Sequence, residues 1–221
     1  MRKQFLLFAS IVFSIGAMAQ VQPSFGIKGG VSSSGMRGEA VGSLQNLLDF
    51  TDGMITTSNR TGFFAGTYAT IPVSENVSVE PGLYYAQKGY ELRGELGLKD
   101  VAFLGANAKV QLTSHYIDMP VLLKANLGGL QVFAGPQISY LAAADLRTTA
   151  GVLGFNLLNR TMNATEQFNR WDAGITGGLG YQFKNGLNIS AAYEHGLSKV
   201  DANKNLDSYN QSIKVGVGFS F

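Results

Sequence analysis

The chain has 221 residues, a length that suits one domain with room for long connections. Its 28 Gly disfavour a mainly helical fold, because each Gly costs a helix about 1 kcal/mol relative to Ala; with no Cys, disulfides and thiolate sites are excluded. Only 14% of residues are charged, and the formal net charge of +2 comes from Arg2 and Lys3, so the rest is neutral and lacks the basic surplus of a nucleic-acid binder.

Residues 1–19 read as a secretory signal. Arg2 and Lys3 form a basic start, Phe5 to Ala17 is apolar, and Ala17-Met18-Ala19 fits the small-x-small cleavage pattern. The apolar run is short of the roughly 20 residues a membrane helix needs. No Cys follows the cleavage site, which excludes a lipoprotein anchor. Residues 20–221 are then the mature chain, expected to be a single domain without tandem repeats.

That mature chain shows period-two alternation, the mark of strands with two unlike faces. Strands are expected near 24–33, 62–72, 77–91, 113–127, 130–142, 171–183 and 187–197, with a last one ending at Phe221. The segment 62–72 alternates least. In the last strand Ile213, Val215, Val217, Phe219 and Phe221 oppose Ser212, Lys214, Gly216, Gly218 and Ser220. In 171–183, Trp171, Ala173, Ile175, Leu179, Tyr181 and Phe183 oppose Asp172, Thr176, Gln182 and three Gly. Each strand has about the 9–11 residues that a tilted membrane strand requires.

The connections alternate in length. Residues 73–76, 128–129 and 184–186 make short turns, with Asn185-Gly186 a tight-hairpin signal. The stretches 34–61, 92–112, 143–170 and 198–211 are long. Short turns at one end and long loops at the other fit an outer-membrane barrel with the long loops outside. Val41, Leu44, Leu47 and Leu48 have helical spacing, so 40–50 is expected as a short amphipathic helix. Alternating Glu91, Arg93 and Glu95 suggest that the third and fourth strands continue as a protruding hairpin.

A soluble eight-stranded barrel would place its apolar face inside, and a membrane barrel outside. Four observations favour the membrane form. The polar faces carry Lys28, Glu80, Lys88, Asp118, Lys124, Asp172, Glu194 and Lys214, four charges of each sign. Such a set can pair as a lumen ion network, whereas a Lys facing lipid at mid-depth would cost about 2–4 kcal/mol. The same faces are rich in Gly, Ser and Ala, which leaves room for long side chains in a narrow interior. Phe25, Phe183 and Phe221 fall at one end, and Trp171, Tyr140 and Tyr90 near the other, as two aromatic girdles would. The final Phe221 lies on the apolar face of the last strand, as expected for a strand read by outer-membrane assembly machinery. The expected fold is therefore all-β, an eight-stranded antiparallel up-and-down transmembrane β-barrel in the cell outer membrane.

Six segments, taken in order, resemble the PorT-like outer-membrane β-barrel family of the Bacteroidetes. They are Phe25-Gly26-Ile27-Lys28-Gly29-Gly30, Val79 to Gly89 (VEPGLYYAQKG), Tyr116 to Lys124 (YIDMPVLLK), Gly135 to Tyr140 (GPQISY), Asp172 to Tyr181 (DAGITGGLGY) and Tyr193-Glu194-His195-Gly196-Leu197. The resemblance implies an eight-stranded outer-membrane barrel and, from the family's namesake, an accessory role in protein export. It implies no catalytic residues, and the matching Lys, Glu and Asp positions coincide with the inward charges.

No HExxH, P-loop or metal-ligand cluster occurs. Gly174, Gly177, Gly178 and Gly180 lie within an alternating strand, so they read as small lumen residues rather than a phosphate loop. Ser114, His115 and Asp118 sit near the outer rim, but His115 and Asp118 project to opposite faces of a strand. No catalytic residue, cofactor or metal site is expected. Partners expected are outer-membrane lipid, the assembly machinery, and a protein or surface ligand met through loops 34–61 and 143–170. Export accessory and small pore are the alternative roles; a crossed ion network argues against the pore.

Overall fold

A computed structural model describes residues 22–38, 55–96, 106–152, 155–202 and 207–221. The signal segment and the proposed helix at 40–50 lie outside the described residues. Nine strands are present among them: β1 (Ser24–Arg37), β2 (Ile55–Pro72), β3 (Val77–Leu96), β4 (Ala106–Leu127), β5 (Leu130–Val152), β6 (Phe155–Asn163), β7 (Trp171–Gln182), β8 (Leu187–Gly196) and β9 (Tyr209–Ser220). Neighbouring strands pair antiparallel, β4 pairs with β5 and β5 with β7, and β9 returns to pair with β1 from Ser220↔Gly26 to Tyr209↔Arg37. Eight strands thus close into a ring. β6 lies outside that ring, paired with the upper part of β5.

Alternation places the apolar side outward. Ile213, Val215, Val217 and Phe219 of β9 are exposed, and Ser212, Lys214, Gly216 and Gly218 between them are buried. Leu179, Ile175, Val121, Leu123, Val132 and Ile138 continue this exposed apolar band around the barrel. Such a band is stable only against lipid, since monomeric soluble proteins rarely leave contiguous apolar surface of this extent in water. Tight turns join strands at one end. Gly128 and Gly129 adopt φ of 65° and 102°, a left-handed pair that closes β4 onto β5 with the right-handed strand twist, and the Asn126 side chain accepts from the Gly129 amide.

The wall has two heights. β7, β8 and β9 have 12, 10 and 12 residues, close to the expected membrane span, whereas β2 to β5 have 18, 20, 22 and 23. β5 leaves its partner β7 after Tyr140, so Leu141–Val152 run on alone with β4 and β6. That is about 40 Å of strand at roughly 3.3 Å per residue. The hairpin expected from Glu91, Arg93 and Glu95 is present, with β3 and β4 paired as far as Leu96↔Ala106. The stretch 143–170, expected as a loop, instead holds the end of β5, all of β6 and a single 3₁₀ turn at Thr165–Gln167. A bridge between Phe168 and Asp201 ties this connection to the one between β8 and β9.

Candidate functional site in the barrel lumen

The eight charged residues of the polar faces lie inside, and they divide into two groups. Near the turn end, three or four residues from the strand ends, Glu80 sits between two lysines. Lys28 Nζ approaches it at 3.4 Å, and Lys124 makes the second, shorter ion pair. Both ammonium groups also lie over the rings of Tyr68 and Phe133, at 4.9–6.0 Å from the centroids. Ring faces therefore share the second positive charge that one carboxylate leaves over. Tyr68 in turn exchanges a 2.8 Å hydrogen bond with Ser220 and accepts one from Asn188 at 2.8 Å.

Further up, Lys88, Asp118, Lys214 and Glu194 form a closed ring of ion pairs. Lys88 meets Asp118 at 2.9 Å and Glu194 at 3.1 Å; Lys214 meets Asp118 at 2.7 Å and also pairs with Glu194. Lys88–Asp118 and Lys214–Glu194 join adjacent strands. Lys214–Asp118 joins β9 to β4 and Lys88–Glu194 joins β3 to β8, and in an eight-strand ring both pairs of strands stand opposite one another. Two ion pairs thus cross the full width of the lumen. Asp118 is 0% exposed and Glu80 1%, so pairing is the condition for carrying these charges at all.

Asp172 differs from the other seven. None of the described cations forms an ion pair with it. Its Oδ2 accepts a 2.7 Å hydrogen bond from Asn210, whose amide also reaches the Tyr116 hydroxyl at 3.2 Å. Above the ion ring, Leu112, Tyr116, Leu141 and Ala144 close the lumen as an apolar plug. Tyr90 packs against this plug, which corrects the expectation that it belongs to an outer girdle. Tyr90 pairs with Leu112 across β3 and β4, on the same inward side as Lys88 and Ser114.

Sequence reasoning missed the aromatic filling. Phe64, Tyr68, Tyr84 and Ala86 form a buried cluster between the two ion groups. Small residues opposite make room for it. A β-carbon at Gly216 would stand 2.6 Å from Phe64, and one at Gly26 would come closer still to Tyr68. The Gly-rich inward face is the available signal, because vacant volume on one wall implies a large side chain from another.

The girdle itself is on the outside. Trp171 stacks on Tyr140 at 5.0 Å, and Phe63, Tyr85 and His115 form a stripe across β2, β3 and β4. Tyr85 and His115 Nδ1 are hydrogen-bonded at 2.6 Å, and His115 Nε2 lies 3.8 Å from Asp145. Ser114 and Asp118 point inward, so they do not join His115 in any catalytic arrangement. At the turn end Phe25, Phe183, Phe219 and Phe221 are exposed. Among the described residues no group of three His, Asp or Glu could hold a metal ion.

A closed ring of eight strands, apolar outside and ion-paired inside, is the architecture of a bacterial outer-membrane protein. The family model described as outer membrane protein beta-barrel domain matches residues 18–202. The chain belongs to this family. As a member of the outer membrane protein beta-barrel domain family it resides in the outer membrane. Solved structures of low identity are similar to it. Neisserial surface protein A is 12% identical, with 90% of this chain and 99% of that one covered and a TM-score of 0.48. Ail, the attachment invasion locus protein of Yersinia pestis, in complex with the heparin analogue sucrose octasulfate, is 15% identical, covering 90% and 99%, with a TM-score of 0.44. OprG from Pseudomonas aeruginosa is 14% identical, covering 91% and 97%, with a TM-score of 0.38. A comparison with curated proteins finds no match.

Proposed function

We propose that this outer-membrane barrel is a closed, non-enzymatic scaffold that holds a raised β-sheet at the cell surface for a protein or surface ligand. The observation that carries this reading is the wall of two heights. β2 to β5 outrun the apolar band, and β6 extends them into a sheet whose residues 158–163 are exposed on both faces. Residues 158–163 of β6, ordered in water with no core on either side, form a display edge on this sheet, and recognition concentrates on segments held this way above a rigid frame. The lumen supports the same reading, since ion pairs cross its width and an apolar cluster packs above them.

The test is capture of a surface partner by the mature protein, compared with a version in which residues 147–161 are replaced by a two-residue turn. The reading expects capture to be lost while the barrel still folds. The accessory role in export, implied by the PorT resemblance, predicts something else: deletion of the protein would abolish secretion of a set of proteins, and the shortened version would restore it.

A further inference from the structure

The raised sheet ends in a bare strand. β6 stands last in the sheet order and pairs only with β5, from Asp145↔Asn163 up to Val152↔Phe155. Alternate residues of a strand turn their N–H and C=O groups to opposite edges, so half of β6 offers these groups away from β5. Among the described residues no backbone group meets them. The foot of the strand is fixed. The Ala164 amide donates to the Ala144 carbonyl at 2.8 Å, and the Thr165 hydroxyl accepts from the Ala144 amide at 2.9 Å. Protected edges carry Pro, Lys or a bulge. β6 has neither Pro nor Lys, and its register irregularity lies near its upper end, opposite Ala150 and Gly151.

The side chains decide what fits beside it. Leu158, Arg160 and Met162 share a face with Ala150, Thr148 and Leu146, their partners on β5. Leu158, Arg160 and Met162 are all exposed, and among the described residues Arg160 makes no ion pair. An added strand would therefore meet an apolar, a cationic and an apolar side chain at alternate positions. Opposite charges directly across two strands stabilise them, and like charges destabilise them. A second copy of this chain fits poorly. Antiparallel β6 strands that pair Leu158 with Met162 would set Arg160 against Arg160. The twofold axis of such a pair is also normal to the raised sheet, which would turn one barrel over in the membrane. We propose that β6 takes up, as an added antiparallel strand, an extended segment of another protein whose carboxylate side chain is flanked two residues away on each side by apolar ones. This names the partner class for the raised sheet and rests on the display reading above.

The probe is a fluorescent peptide, Thr-Val-Thr-Glu-Thr-Val-Thr, titrated by anisotropy against the folded mature protein in zwitterionic micelles. Saturable binding is expected, severalfold weaker when the peptide's Glu is Lys. The Arg160→Glu variant should invert that preference, and the peptide comparison on the unaltered protein needs no variant. N-methylation of alternate peptide amides should abolish binding for one set and preserve it for the other, which side-chain contact alone would not do. Absence of saturable binding, a preference that folded Arg160→Glu leaves unchanged, or equal effects of the two methylated sets overturns the edge site. Capture of a surface partner that needs residues 147–161 but is not competed by the peptide also overturns it, while the display reading stands. Lack of any such capture refutes the display reading itself.

Discussion

Asp118 receives Lys88 from the neighbouring strand and Lys214 from the opposite side of the barrel. Removing it leaves two buried lysines dependent on Glu194 alone. Breaking a buried pair by deleting one partner costs about 3–5 kcal/mol, so Asp118→Ala should lower stability by that amount in urea unfolding from lipid vesicles. Asp145, whose side chain is partly exposed and lies 3.8 Å from His115, is the control; Asp145→Ala should cost under about 1 kcal/mol. The aromatic filling sets a second expectation at this scale. Phe64 is buried between the ion groups and sits over Gly216, so Phe64→Ala should cost about 3–5 kcal/mol in the same measurement.

Among the elements, β7, β8 and β9 were legible because lipid lies on one side and a polar lumen on the other, which forces strict alternation. β2, expected at 62–72 and found over Ile55–Pro72, was legible only weakly, since Phe63 faces lipid while adjacent Phe64 fills the interior, and the pair reads alike on both faces. β6 was invisible for a different reason. Its residues 158–163 meet water on both sides, so nothing selects one face over the other and no period remains. The inward positions of the eight charges followed from parity, but their division into two groups, and the exclusion of Asp172 from pairing, depend on distances across the barrel that no strand encodes alone. Because the raised hairpin of β5 and β6 contributes no lumen ion pair, replacing residues 147–161 with a two-residue turn should leave heat-modifiable electrophoretic mobility intact, with the urea midpoint changed by less than about 1 kcal/mol equivalent.

At the scale of the molecule, the interior is filled from the Lys28–Glu80–Lys124 group, through Phe64 and Tyr84, to the Leu112 plug. Eight strands leave room for side chains and little else. In planar-bilayer recording the protein should therefore give no stable open conductance; a steady open level at neutral pH would refute the filled interior.

The two ion pairs that span the lumen from β9 to β4 and from β3 to β8 also bear on mechanics. A hollow tube stitched only along its rim can flatten when its surroundings squeeze it. Here an ovalisation that stretches either of these neighbouring diameters pulls an ammonium from its carboxylate where no solvent can replace it. The cross-section is thus braced along two neighbouring diameters against stretching by lateral pressure in the membrane.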